Sequence, residues 1–285
     1  MASCFLLVLL GAGTLAAHPH PGSGVTSSSD EQRAAQLITC VNASDCTDEL
    51  QAALDGCMAE ILLRKLPDGR NWITRPLFVR SCEHSQRMVL KPTVVLEAIK
   101  GGFHGGGDTL IDVSNVTGFS LHGPGATLRM HRSDYSNRSK YSHSEGRMAI
   151  ALRGVTNAVI SGAPGSPLTV QESGGDGCYI AHLHGSQPAQ NSRNVSIHHV
   201  IFTKNFRQGI SVIGVVGLTV TNTALSFTAG TPPAAGACAA LSAACTGLSH
   251  SATHATDLHV PLFLQELTLS RTSSQTSCLT LSLPM

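Results

Sequence analysis

Charge is scarce in this 285-residue sequence. Only 13% of its residues are Asp, Glu, Lys or Arg, and the formal net charge is +1. That argues against a nucleic-acid surface, which needs clustered Lys and Arg. Aromatic residues are scarce too, at 4%, whereas Gly numbers 28. The balance suits many tight turns and thin packing layers better than a helical bundle. No Cys-x-x-Cys pair occurs, which argues against a structural zinc site. No Asn-Gly pair occurs, so the strongest short hairpin signal is missing. With 42% hydrophobic residues the chain still buries a sizeable core, as one large domain or two modest ones.

The N-terminus reads MASCFLLVLLGAGTLAAHPHP. An apolar run from Cys4 to Leu10 is followed by small residues ending at Ala16 and Ala17. This is read as a secretory signal peptide over residues 1–17, although it lacks an N-terminal Lys or Arg. The run is too short to span a membrane, and a buried strand or an anchor is the competing reading. Secretion makes other features coherent. Asn-X-Ser/Thr acceptors for N-linked glycans occur at Asn42, Asn115, Asn137 and Asn194. Loss of Cys4 with the signal leaves an even number of cysteines, which permits disulfides in an oxidising compartment. Cys40 and Cys46 are the best local pair, with Cys57 and Cys82 next. His18 and His20 lie in a Pro-rich end and are weak metal candidates, so neither metal nor cofactor is expected.

Residues 18–44 are polar and Ser-rich and read as a flexible leader, with a short helix at DEQRAAQLI. DCTDELQAALDGC is the clearest helix start. Asp45 or Thr47 can cap it, acids sit in its first turn, and Leu50, Ala53 and Leu54 recur at helical spacing. After it the period changes to short runs of β-formers such as TVVLEAI, TLIDV, MAIALRG, GCYIAHL and QGISVIG, each bounded by Gly, Asn, Pro or Ser. The pattern is all-β. The runs resemble one another: NVTGFSL starts at Asn115, NAVISG at Asn157, NVSIHHVIF at Asn194 and GLTVTNTALSF at Gly217. Starts roughly 20 to 40 residues apart are the range of solenoid coils, whose stacking makes the core. A β-sandwich is the competing architecture.

The motifs TDELQAALD, LPDGRNWITRPLFV, GATLRMHRSDY, SGGDGCYIA and FRQGISVIG…NT…GTPPAAG carry a family resemblance. From about Asp45 to Gly236 the chain resembles the right-handed parallel β-helix proteins of the pectin lyase-like group. The resemblance implies a β-helix domain over 45–236 with a short N-terminal capping helix. It implies a reaction much less firmly, because fold does not fix chemistry. In similar proteins GTPPAAG runs on into an acidic coil. Here residues 237–285 are instead dense in Ser and Thr, with no Asn and one Gly. They are read as an aberrant or disordered tail, from a retained intron, a frameshift or alternative splicing, against a divergent tail or stalk. A stack cut short exposes strand edges and favours aggregation, and low order is expected after Gly236, with HVPLFLQELTL as a stretch able to fold back as a partial cover.

Polysaccharide-active β-helices use the outer face of one parallel sheet, and the resemblance points to ESGGDGCYIAHLHG at residues 172–185. Asp176 is the expected catalytic residue, as acid or base, on an outer face cleared by its glycines. By strand parity Asp176, Cys178 and Ile180 share one side, and His182 and His184 return to it. One coil later Arg207 is expected within reach of Asp176, where its charge favours the carboxylate. Hydrolysis needs a second carboxylate, and Glu172 is the nearest in sequence. Tyr179, His182 and Gln208 are expected to contact substrate. So are Arg129, Asp134, Tyr135, Glu145 and Arg147, in or beside the polar loop RMHRSDYSNRSKYSHSEGR. The structural alternatives are a turn role for Asp176, a paired role for Arg207 and a solvated loop. KGGFHGGGD lacks the Gly-Lys-Ser/Thr ending of a phosphate loop. Lyases of this fold often use Ca²⁺, but no acidic cluster is dense enough to form a site. The reading is a secreted, monomeric, carbohydrate-active protein that hydrolyses or eliminates within a polysaccharide. The alternatives are a non-catalytic glycan-binding or cell-wall protein, or an inactive truncated product.

Overall fold

Alternation inside four-residue strands sets the architecture. Ile111–Ser114 buries Ile111 and Val113 and turns Asp112 and Ser114 outward, as a period of two requires. Ile150–Arg153 and Cys178–Ala181 lie on it in parallel register. Ile111 faces Ile150, which faces Cys178, and Val113 faces Leu152, which faces Ile180. Leu77–Val79 extends this stack on one side, and Ile210–Val212 and then Ala240–Leu241 on the other. The result is a six-stranded parallel sheet whose inner rows are fully apolar.

Two further stacks share the same coils. One runs through Glu60–Leu63, Arg87–Leu90, Ser120–His122, Thr156–Ser161, Ser192–His198 and Val215–Ser226. The other runs through Trp72–Thr74, Val95–Ala98, Thr127–Arg129, Leu168–Gln171 and Val200–Thr203, and ends on the same long strand Val215–Ser226. Between Glu60 and Ser226 consecutive strands do not pair, since each bonds to a strand of the neighbouring coil. The chain is a right-handed parallel β-helix, the hand that crossovers between parallel strands take. Leu63, Leu90, Leu96, Leu121, Leu128, Ile160, Val170, Ile197 and Phe202 fill its interior without exposure.

The computed structural model describes residues 36–42, 44–142 and 144–227, apart from the side chain of Gln36. Beyond them it describes only the backbone of Ala240–Leu241, Leu262–Thr272 and Thr276–Ser282. The expected signal at 1–17, most of the leader and most of the tail at 237–285 lie outside these residues. The leader's end is not loose, because Gln36–Leu37 pairs in parallel with Ile61 and Leu62. Helix α1, Thr47–Asp55, packs Leu50, Ala53 and Leu54 into the core beside Leu77–Val79. Its N-cap is Cys46, so neither expected residue occupies that place. Asp45 instead accepts the Thr47 N–H at 2.9 Å and pairs with Arg75 at 2.8 Å. Disulfides Cys40–Cys46 and Cys57–Cys82 tie this end together.

Corners between strands use left-handed backbone. Asn157, Asn194 and Gly217 fall at one register position with φ of 57°, 51° and 76°. The residue below Asn157 in this column is Gly118, at φ 79°, and not Asn115. The sequence repeat therefore set the first coil three residues early. Asn and Gly tolerate this region best, which is why the repeat was visible at all.

Candidate active site

The short strand Cys178–Ala181 begins directly after Ser173-Gly-Gly-Asp-Gly177. Cys178 and Ile180 point into the core, and Asp176 shares their parity. Asp176 is fully buried, not displayed on the outer face as expected. The glycines explain how. A Cβ on Gly175 would lie 2.1 Å from the Glu145 carbonyl oxygen, and one on Gly174 would lie 2.5 Å from the Tyr135 ring. One on Gly177 would lie 2.6 Å from the Asn205 side chain. The space cleared by the glycines is filled by the protein's own neighbouring segments.

Arg207 does come to Asp176. Its Nε lies 3.8 Å from Asp176 Oδ1 and 3.1 Å from Glu145 Oε2. One guanidinium thus sits between two carboxylates, one buried and one half-exposed. Neither approach is a hydrogen bond, and among the described residues both buried Asp176 oxygens lack a hydrogen-bond partner. Loss of hydration therefore dominates and pushes the Asp176 pKa up to about 6. The Ser211 hydroxyl and then the Arg207 charge pull it down less strongly. Ser211 has one proton, and its short contact is with Gln208 Oε1, so we assign the bond there. Arg207 occupies the space between the carboxylates that a cation would need, and the cluster does not fit a calcium site.

The second carboxylate at Arg207 is Glu145, from the polar loop, rather than Glu172, which sits at φ 60° in the corner before the glycines. Other loop residues serve structure. Arg147 is fully buried and donates to the carbonyls of Phe103 at 2.8 Å, His104 at 3.0 Å and Ser142 at 3.2 Å. Its guanidinium lies over the Tyr135 and Tyr141 rings, which meet edge to face. Tyr135 is buried, so neither it nor Arg147 faces a sugar, and burial pushes the Tyr135 phenol pKa up. Asp134 lies in the one-turn helix Arg132–Tyr135, where its backbone carbonyl accepts the Asn137 N–H. Arg129 belongs to another face, paired with Glu97 beside Asn71 and His131. Gln208 is buried, and His182 is half-buried beside Gly214. The Gly-rich loop at 100–108 closes on itself, with Gly105 N–H donating to Asp108 at 2.7 Å.

Tyr179 is on the outer face, half-buried. Its row holds Phe78, Asp112, Ala151, Tyr179 and Ser211 in register. Arg153 reaches back from the next row, 2.7 Å from Asp112 and with its guanidinium 5.7 Å from the Tyr179 ring centroid. Arg80 lies over Phe78 at 4.9 Å and 3.7 Å from Asp112. Sequence reasoning missed Phe78, Arg80, Asp112 and Arg153. Aligning IDVS and IALR with CYIA by coil would have found the last two. Ser211 links this face to the buried cluster, since it stands beside Tyr179 and bonds Gln208.

No protein-family model matches the chain, and no curated protein matches it. Among solved structures it is similar to a protein from Parabacteroides merdae that bears a glycosyl hydrolase name. The TM-score is 0.49 and the identity 14%, over 65% of this chain and 80% of that one. It is also similar to a 1,3-α-1,4-β-D-galactose-4-sulfate-3,6-anhydro-D-galactose-2-sulfate 4 galactohydrolase, with TM-score 0.45 and 17% identity. An iota-carrageenase complexed with iota-carrageenan fragments follows at TM-score 0.42 and 17% identity. Each of these two matches covers 65% of this chain, but only 40% and 38% of those chains. At such scores the likeness adds nothing to the architecture, which the strand register establishes by itself.

Proposed function

We propose that the protein is a secreted, carbohydrate-active β-helix protein that hydrolyses glycosidic bonds with Asp176 and Glu145. The supporting observation is the pair itself: two carboxyl groups with different environments around one Arg207. Glycoside hydrolysis asks for one carboxyl that holds a proton and one that is ionised. Burial favours the protonated form of Asp176, and half-exposed Glu145 keeps contact with water and Arg207. Asp176 would protonate the leaving oxygen, and Glu145 would act as base or nucleophile. Tyr179, Phe78 and Arg153 would hold the sugar on the sheet face. Catalysis then requires the Glu145 segment to lift, because Asp176 is covered in the closed arrangement.

That same burial favours a second reading, a non-catalytic glycan-binding protein that uses only the Phe78–Tyr179 face. A polysaccharide panel separates the two. On the first reading the wild type releases reducing ends, at a rate that falls as pH rises and Asp176 loses its proton. Asp176→Asn and Glu145→Gln each lower the rate about 100-fold or more. Equal product from wild type and Asp176→Asn removes Asp176 from the chemistry. Inertness of all three with retained sugar binding supports the second reading.

A further inference from the structure

Three of the four glycan acceptor motifs, at Asn42, Asn137 and Asn194, are equal in sequence but not in structure. Asn194 lies in the strand Ser192–His198 at φ 51°, inside the corner column. Its side-chain Nδ2 donates to Asn157 Oδ1 on the coil below, at 3.0 Å. On the coil above it meets Gly217, where a Cβ would lie 3.1 Å from Asn194 Oδ1. The amide is thus a bonded rung between two coils. Asn137 and Asn42 differ in the atom that matters. Asn137 is exposed, as Asn194 is, but its Oδ1 accepts both the backbone N–H of Ser139 at 3.1 Å and the Ser139 hydroxyl at 2.6 Å. Asn42 Oδ1 accepts the N–H of Ser44 at 3.0 Å and its hydroxyl at 2.9 Å. In both, the acceptor residue is tied to the third residue of its own motif, and among the described residues its Nδ2 has no hydrogen-bond partner.

We infer that N-linked glycans are carried at Asn137 and Asn42, and that Asn194 is an unmodified structural rung despite its matching motif. The reaction joins Asn Nδ2 to C1 of the first sugar of a lipid-pyrophosphate-linked oligosaccharide. The C1–O bond to phosphate breaks, the lipid pyrophosphate leaves, and the amide nitrogen gives one proton to the transferase. A glycan at Asn137 stands on the loop that carries Glu145, so it crowns one side of the proposed site. The inference rests on the reading that the chain is secreted.

The test expresses the full chain in a eukaryotic secretory host, once with residues 1–17 and once with a proven leader in their place. Glycosidase release in heavy-oxygen water, followed by peptide mass spectrometry, marks each occupied Asn. With the proven leader, Asn137 and Asn42 are marked and Asn194 is not. Asn137→Gln removes one glycan from the gel mobility, whereas Ser196→Ala, which destroys the Asn194 motif without touching its amide, removes none. An occupied Asn194 in soluble, folded protein, or an unmarked Asn137, overturns the inference. Marking with the proven leader but not with residues 1–17 overturns the secretion reading alone and leaves the site selection supported.

Discussion

Asp176 and Arg147 are two buried charged-type side chains with opposite fates. Arg147 spends its donors on three carbonyls and two aromatic faces, so its charge is solvated by the protein. Replacing it with Met leaves those carbonyls short of donors. We expect a loss of about 3 kcal/mol in denaturant unfolding, little restored by Lys, which lacks the planar fork. Asp176 has no such partners. Its folded pKa of about 6 lies above the ordinary 3.8, so the unfolded chain releases the proton first. Stability from this group is fully present below about 3.8 and is lost as pH rises through about 6. The loss is about 3 kcal/mol, from the two-unit difference. Asp176→Asn should flatten that segment of the stability profile between pH 4 and 7. An unchanged profile would show that Asp176 is not the group that titrates. The sequence marked Asp176 and Arg207 as neighbours, because coil spacing brings them together. It could not show burial, because the covering segment arrives from residues 144–147, some thirty positions away in the chain.

At the scale of elements, close approach between segments sets the site's geometry. Gly175 touches the backbone of Glu145, and backbone cannot swing aside as a flexible side chain can. Gly175→Ala should therefore push the 144–147 segment outward, at a cost of about 1–3 kcal/mol by overpacking. The melting temperature should fall by several degrees, and hydrogen exchange should quicken at residues 144–147. No change in exchange there would mean the loop is already loose. The N-terminal cap behaves differently, since helix α1 is short and is held by covalent ties. Cys57 and Cys82 are 25 residues apart in sequence, and closing such a loop stabilises by about 3 kcal/mol on chain-entropy grounds. Cys57→Ala with Cys82→Ala should lower the unfolding midpoint without altering the sheet face around Tyr179. The all-β period, the capping helix and the coil repeat were legible because each is written in spacing of two, 3.6 or about one coil. The register was less so. Asn115 and Gly118 both precede a Val or Phe run, and only pairing with Val159 shows that Gly118 holds the column.

The whole molecule is a stack, so its ends matter more than its middle. Each inner coil is paired above and below, but Val215–Ser226 would present an open edge after the last full coil. Here that edge is met in antiparallel fashion by Leu262–Thr272, from Leu218 paired with Leu269 to Leu225 paired with Leu262. Thr276–Ser282 then pairs antiparallel with Leu262–Thr272. A hairpin thus closes a sheet that is otherwise parallel, with a direction that the next coil of a solenoid would not have. This pairing covers backbone groups along both halves of the long strand, so the second and third stacks end together. Deleting residues 262–285 should leave the inner coils folded, because their pairing does not involve the hairpin, while exposing the N–H and C=O row of Val215–Ser226. Association through that edge should follow, with light scattering that rises with protein concentration and a Cys57–Cys82 bond that stays formed. A monodisperse, unaltered monomer after the deletion would mean that the hairpin does not guard the edge.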